Sequence, residues 1–125
     1  MNCFVNWSNH PFEKWDKAQL EAARALGDLV YIPFPDVAPT GSTAEIIEQA
    51  KACVQELLGR YPDPDSVVIM VQGEMTLLYH ILKLLERAGY RVVAATSDRD
   101  VQVLSDGKEL KTFKFRAFRD YFSRD

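Results

Sequence analysis

The chain has 125 residues, 47% hydrophobic and 26% charged, with a formal net charge of −3. That is enough chain for one domain with a single core, and it excludes disorder as a description of the whole. The mild acidity gives no bulk attraction to duplex nucleic acid or an anionic membrane surface, so neither is expected as the main partner.

Residues 2–7, NCFVNW, are apolar and read as a first strand. The loop SNHPFEKW follows, with one of the two histidines and one of the two tryptophans. Residues 16–26 have helical spacing, with Asp16 as N-cap and Gly27 as stop. Residues 28–32 form a second, short strand. PFPDVAPTG holds three of the six prolines and reads as an ordered loop. Ser42 and Glu45 make a capping box for a helix running to about Arg60. Its stripe is Ile46, Ile47, Ala50, Cys53, Val54, Leu57 and Leu58. YPDPD ends it.

Residues 66–71, SVVIMV, are an unbroken apolar run, as a parallel strand covered on both faces requires. QGEMT leads into a helix over about 75–88, stopped by Gly89, and residues 90–95 form the fourth strand. The alternation of strand and helix predicts an α/β fold: one Rossmann-like three-layer domain over 1–125 with a mainly parallel sheet. The β/α core is expected over 1–99 and a C-terminal β-hairpin with a tail over 100–125. The hairpin reads as VQVL, an Asp106-Gly107 turn and LKTFKF. On the second of those strands Phe113 and Phe115 share a face expected in the core or a dimer interface. Lys114 and Arg116 share the other, a solvated face or the lining of a nucleotide site. The tail RAFRDYFSRD is expected to be a short helix or a partner-binding arm.

Cys3 and Cys53 read as buried, reduced thiols; with no further ligands at metal spacing, neither a metal site nor a cofactor is expected. Without a basic n-region before an apolar run, or a span of about 18 apolar residues, a cytoplasmic, non-membrane protein is expected.

Open α/β sheets bind ligands beyond the carboxyl ends of their strands. That rule selects three loops. The first carries Ser8, Asn9 and His10. The second is Gln72, Gly73, Glu74, Met75 and Thr76, where Gly73 allows a turn or the approach of a ligand and free N–H groups at the helix start suit a phosphate. The third is Thr96, Ser97, Asp98 and Arg99, two hydroxyls and a guanidinium among them. Together these groups suggest a phosphoryl-bearing ligand such as a nucleotide. Each has an ordinary structural reading as well: Glu74 answering the helix dipole, Arg99 in a surface ion pair, Thr96 and Ser97 capping a turn, His10 in a His-Pro turn. His80 reads as a helix residue, and Trp7 and Trp15 as packing residues rather than stacking platforms. There is no G-x-G-x-x-G, P-loop or G-x-S-x-G motif.

Three segments, NWSNHP with the QLEAA helix after it, VQGEMTLLY and ATSDR, resemble the small ancillary proteins of type III CRISPR systems. These are relatives of the CRISPR-associated Rossmann-fold (CARF) sensor domains, and the likeness covers roughly the first four-fifths of the chain. It implies binding of a cyclic oligoadenylate messenger, chiefly cyclic tetra-adenylate, across a homodimer two-fold, in antiviral defence. It also implies a ring nuclease: metal-independent cleavage by attack of a ribose 2′-hydroxyl on the adjacent phosphorus, leaving a 2′,3′-cyclic phosphate. On that reading His10, Arg99 and Ser8 are the catalytic candidates. Asn9, Gln72, Gly73, Glu74, Met75, Thr76, Thr96 and Ser97 bind the ligand. The alternatives are a non-cleaving binder that senses or sequesters the messenger, and an unrelated nucleotide-handling enzyme on the same fold.

Overall fold

A computed structural model describes residues 2–124. The strands are β1 (Cys3–Ser8), β2 (Asp28–Pro33), β3 (Val67–Val71), β4 (Arg91–Val103) and β5 (Glu109–Asp120). The helices are α1 (Lys17–Leu26), α2 (Thr43–Arg60) and α3 (Met75–Arg87). All five strands form one sheet in the order β2-β1-β3-β4-β5; β1 to β4 are parallel and β5 is antiparallel to β4.

Strand alternation assigns the layers. Val5 and Trp7 of β1, with Val67, Ile69 and Val71 of β3, pack against Ile46, Ala50, Val54 and Leu57 of α2 and Leu77, Ile81 and Leu85 of α3. The intervening residues Phe4, Val68 and Met70 face the other way, towards Ala23 of α1 and Trp15. Helices therefore cover both faces, which is why every residue of β3 is buried and its sequence shows no polar alternation. Both tryptophans belong to this packing. Trp7 is 3% exposed beside Phe34, and Trp15 meets Phe4 edge-on at 6.1 Å.

The helix caps form as the sequence predicts. The Asp16 carboxylate accepts from the Gln19 N–H at 2.8 Å, and Ser42 Oγ accepts from the Glu45 N–H at 3.2 Å. The expected Asp-Gly turn also forms. Gly107 has φ 84°, which a side chain would disfavour, and Asp106 Oδ1 accepts from the Lys108 N–H at 3.0 Å.

The C-terminal third departs from expectation. Residues 96–99 are not a loop. β4 runs straight through them, held by β5, with Ser97 opposite Phe115 and Arg99 opposite Phe113. The expected boundary at 99 thus falls inside a strand. Nor does the tail begin as a helix: Arg116–Asp120 completes β5, Val93 pairs with Asp120, and the last tail residue, Asp125, lies outside the described residues. A register shift at Thr96/Ser97 divides the hairpin. Below it, Phe118 closes on Phe4 and Trp15. Above it, the two strands project as a ribbon on which residues 97–114 are all exposed. Phe113, 68% exposed, is therefore not a core residue of its own chain.

Candidate functional site

The strand order reverses between β1 and β3. The chain leaves β1 towards α1 on one face and β3 towards α3 on the other, which opens a crevice between their carboxyl ends. The loop after β1 is braced from beneath by the end of the strand itself. Asn6 and Ser8 are fully buried. Ser8 Oγ donates to Asn6 Oδ1 at 2.6 Å and accepts from the His10 N–H at 3.1 Å. Asn6 Nδ2 and Trp15 Nε1 both donate to the His10 carbonyl, each at 2.9 Å. Tyr31 Oη donates to the Ser8 carbonyl at 3.0 Å. The backbone of His10 is thus held from both sides, while the side chains of Asn9 and His10 are exposed. Ser8 turns its hydroxyl into this bracing network rather than towards solvent. Asn6 is the residue sequence reasoning missed; the signal was a lone amide inside the apolar run CFVNW.

The second segment also differs from expectation. Two of the N–H groups at the start of α3 are already taken. The Glu74 carboxylate accepts from the Thr76 and Leu77 N–H groups at 3.0 and 2.9 Å. The Thr76 hydroxyl, 2.7 and 2.6 Å from the two carboxylate oxygens, donates to it as well. That hydroxyl first, and then the two backbone donors, hold the Glu74 carboxyl below its ordinary value. The helix terminus that sequence reasoning offers to a phosphate is filled by the protein's own anion. Gly73 has a packing reason: a Cβ there would fall on the Phe34 ring, which lies against it. Gln72 is exposed, and its N–H donates to the Trp7 carbonyl at 3.0 Å, carrying the β1–β3 ladder one residue further.

The third group does not assemble at a loop. Thr96 donates its hydroxyl to the Ala117 carbonyl at 3.1 Å across the hairpin, and Ser97 and Arg99 lie exposed on the ribbon. Asp98 pairs with Arg116 at 3.1 Å.

A groove of about 640 Å³ runs beside the second segment, bordered by the proline-rich loop at Val37, Ala38, Pro39 and Gly41, by the start of α2 and by α3. It gathers Glu74, Met75 and Thr76 with Tyr79 and His80. Thr76, Tyr79 and His80 stand at i, i+3 and i+4 of one helix, a spacing that by itself puts His80 on the same helix face as the other two. A second hollow of about 570 Å³ lies at the opposite edge of the sheet, by Tyr90 and Arg91. Arg91 there pairs with Asp120 at 2.9 Å, and this is not the edge at which such sheets bind ligands. Among the described residues no group of three or more His, Cys, Asp or Glu side chains is arranged to hold a metal ion. No described helix is long and apolar enough to cross a membrane. Cys3 and Cys53 are free and half-buried; burial, with Glu56 nearby, raises the Cys53 thiol above its ordinary value.

The fold and the braced loop define a three-layer, Rossmann-like α/β domain with one exposed histidine at its switch point. Within that class, the chain belongs to the family described as the Uncharacterized protein MJ1673 family, whose model matches residues 2–119. No curated protein matches the chain.

Proposed function

We propose that the protein is a cytoplasmic homodimer that binds cyclic oligoadenylate, chiefly cyclic tetra-adenylate, at the carboxyl edge of its sheet in type III CRISPR defence. The observation that carries this reading is the division of labour within NWSNHP, one of the segments on which the resemblance rests. Its buried members, Asn6, Trp7 and Ser8, form the floor, and its exposed members, Asn9 and His10, stand at the switch point with the His10 backbone fixed. A fixed backbone presents donors at lower entropic cost than a free loop. The test is calorimetry with cyclic tetra-adenylate, cyclic hexa-adenylate and AMP. Saturable binding of a cyclic oligoadenylate supports the proposal; stabilisation by mononucleotides alone would transfer the protein to another class of nucleotide-handling enzyme.

A second reading, cleavage of the ring, is favoured by the exposed His10 imidazole. In that reaction a 2′-hydroxyl attacks the adjacent phosphorus and the 5′ oxygen leaves. One proton is lost from the nucleophile and one is gained by the leaving group. An imidazole on a fixed loop suits either transfer. Incubation with cyclic tetra-adenylate in EDTA, followed by chromatography, decides it. A linear product with a 2′,3′-cyclic phosphate end establishes cleavage, and intact ligand at high protein concentration leaves binding alone.

A further inference from the structure

Among the described residues, the large apolar side chains that are exposed, Tyr121 apart, gather in two places. Met75 and Tyr79, 80% and 57% exposed, line the groove by α3. Val101, Val103, Leu104, Leu110 and Phe113 lie on the projecting ribbon, with Val103 at 73% and Phe113 at 68%. Residues directly opposite in an antiparallel pair share a face. The register pairs Arg99 with Phe113, Val101 with Lys111 and Val103 with Glu109, so one face of the ribbon carries three apolar groups and two cations, with a single anion at the tip. The groove has the opposite character: its walls include Val37, Ile46 and Met75, and its only anion is Glu74.

The ribbon also has little internal support. A two-stranded hairpin is marginal in water, and beyond the register shift Phe115 is half-buried against Phe118 while residues 97–114 are all exposed. Residues 97–103 span roughly 20 Å at about 3.3 Å per residue, long enough to reach a neighbouring molecule. Each chain carries one ribbon and one groove. Two copies about a two-fold would satisfy both surfaces reciprocally and leave neither exposed.

We propose that the β4–β5 ribbon of one copy lies in the α2–α3 groove of a second, with Phe113 against Met75 and Tyr79, and Arg99 and Lys111 facing Glu74. This rests on the homodimer proposed above and not on its ligand. It assigns the exposed aromatic face of β5 to the partner, and it brings the ribbon of one copy to the groove that borders the other's candidate site.

The test begins with light scattering on the wild-type chain, Phe113→Asp and Val103→Asp. Both positions are exposed, so the variants are expected to fold, which circular dichroism verifies. A wild-type dimer is expected, with the dissociation constant raised on the order of tenfold or more in each variant. Phe113→Cys and Tyr79→Cys proteins are then purified separately, mixed and oxidised, with wild type as the blank for Cys3 and Cys53. A covalent dimer that forms only in the mixture supports the proposal. Phe113→Cys linking to itself would mean ribbon against ribbon and would overturn it. A dimer by scattering with no mixed cross-link overturns this interface while the homodimer stands. A monomer at all concentrations overturns both, and calorimetry on that monomer still reads the ligand proposal.

Discussion

Asn6→Ala tests whether the loop at the switch point is held from beneath. The substitution removes the 2.9 Å bond from Asn6 Nδ2 to the His10 carbonyl and the acceptor of the 2.6 Å bond from Ser8 Oγ. A lost hydrogen bond costs about 1 kcal/mol, and a buried hydroxyl left without an acceptor about 1–3 kcal/mol. The Ser8 hydroxyl has one escape: the His10 carbonyl lies 3.4 Å away, and the hydroxyl can turn towards it once Asn6 is gone. The expected cost therefore falls in the lower half of that sum, at about 2–3 kcal/mol. With about 2.1 cal/mol/K of unfolding entropy per residue, the chain has an unfolding entropy of about 0.26 kcal/mol/K, so Tm should fall by roughly 8–12 °C.

Thermal unfolding by circular dichroism reads the shift, and amide exchange reads the loop. Ser8→Ala completes the cycle. It removes the same 2.6 Å bond and the acceptor of the His10 N–H, so the His10 amide should lose protection. The double variant should cost about 1 kcal/mol less than the two single effects added, because both single changes break one shared bond. A Tm shift of less than about 3 °C for Asn6→Ala, with the His10 amide of Ser8→Ala exchanging as in wild type, would refute the bracing argument.

Gly73→Ala should destabilise by about 1–3 kcal/mol through collision with the buried Phe34 ring, and Phe34→Leu in the same chain should recover part of the loss in a denaturant titration. Glu74→Ala should lower Tm at neutral pH by removing the cap of α3, while a Tm unchanged from wild type would discount the cap. Because the folded Glu74 carboxyl lies below its ordinary value, its contribution is complete above the unfolded value and is lost as pH falls through the folded one; wild type and Glu74→Ala should converge in Tm towards that acid limit. If cyclic tetra-adenylate is cleaved, His10→Ala should lower the rate by about 10²–10⁴-fold with binding by calorimetry retained, and an unchanged rate would remove the imidazole from the chemistry.

The parts of the fold that local chemistry specifies were legible. Asp16 and Ser42 announce helix starts because their side chains satisfy N–H groups two or three residues on, and the VVIMV run announces a strand covered on both faces. Thr96 to Arg99 reads as a loop in the sequence because its partners lie 14 to 21 residues ahead, from Phe113 opposite Arg99 to Ala117 opposite Thr96. TSDR is polar and short, the composition of a loop, and only pairing with Phe113, Phe115 and Ala117 makes it a strand. Two strands that support each other outside the core need no apolar alternation, so periodicity had nothing to detect.

The candidate site was legible in position but not in the use of its groups. Sheet topology does place Ser8 to His10 and Gln72 to Thr76 at the carboxyl edge, yet several of those side chains serve the protein before they serve any ligand. Glu74 lies where an incoming phosphate would otherwise find the α3 N-terminus, and Ser8 spends its hydroxyl on Asn6. A sequence states which donors and acceptors a loop contains; it does not state which have already been satisfied from within. That accounting leaves Asn9 and His10, directly after β1, as exposed polar groups of the first loop, and Tyr79 and His80 as polar groups on the wall of the groove. An anionic ligand at this edge must therefore avoid Glu74 or displace its carboxylate from the helix. Competition between ligand and cap has a direct readout: Glu74→Gln, which removes the charge, should tighten binding of cyclic tetra-adenylate if the phosphate approaches α3, and should leave it unchanged if the phosphate stays by His10.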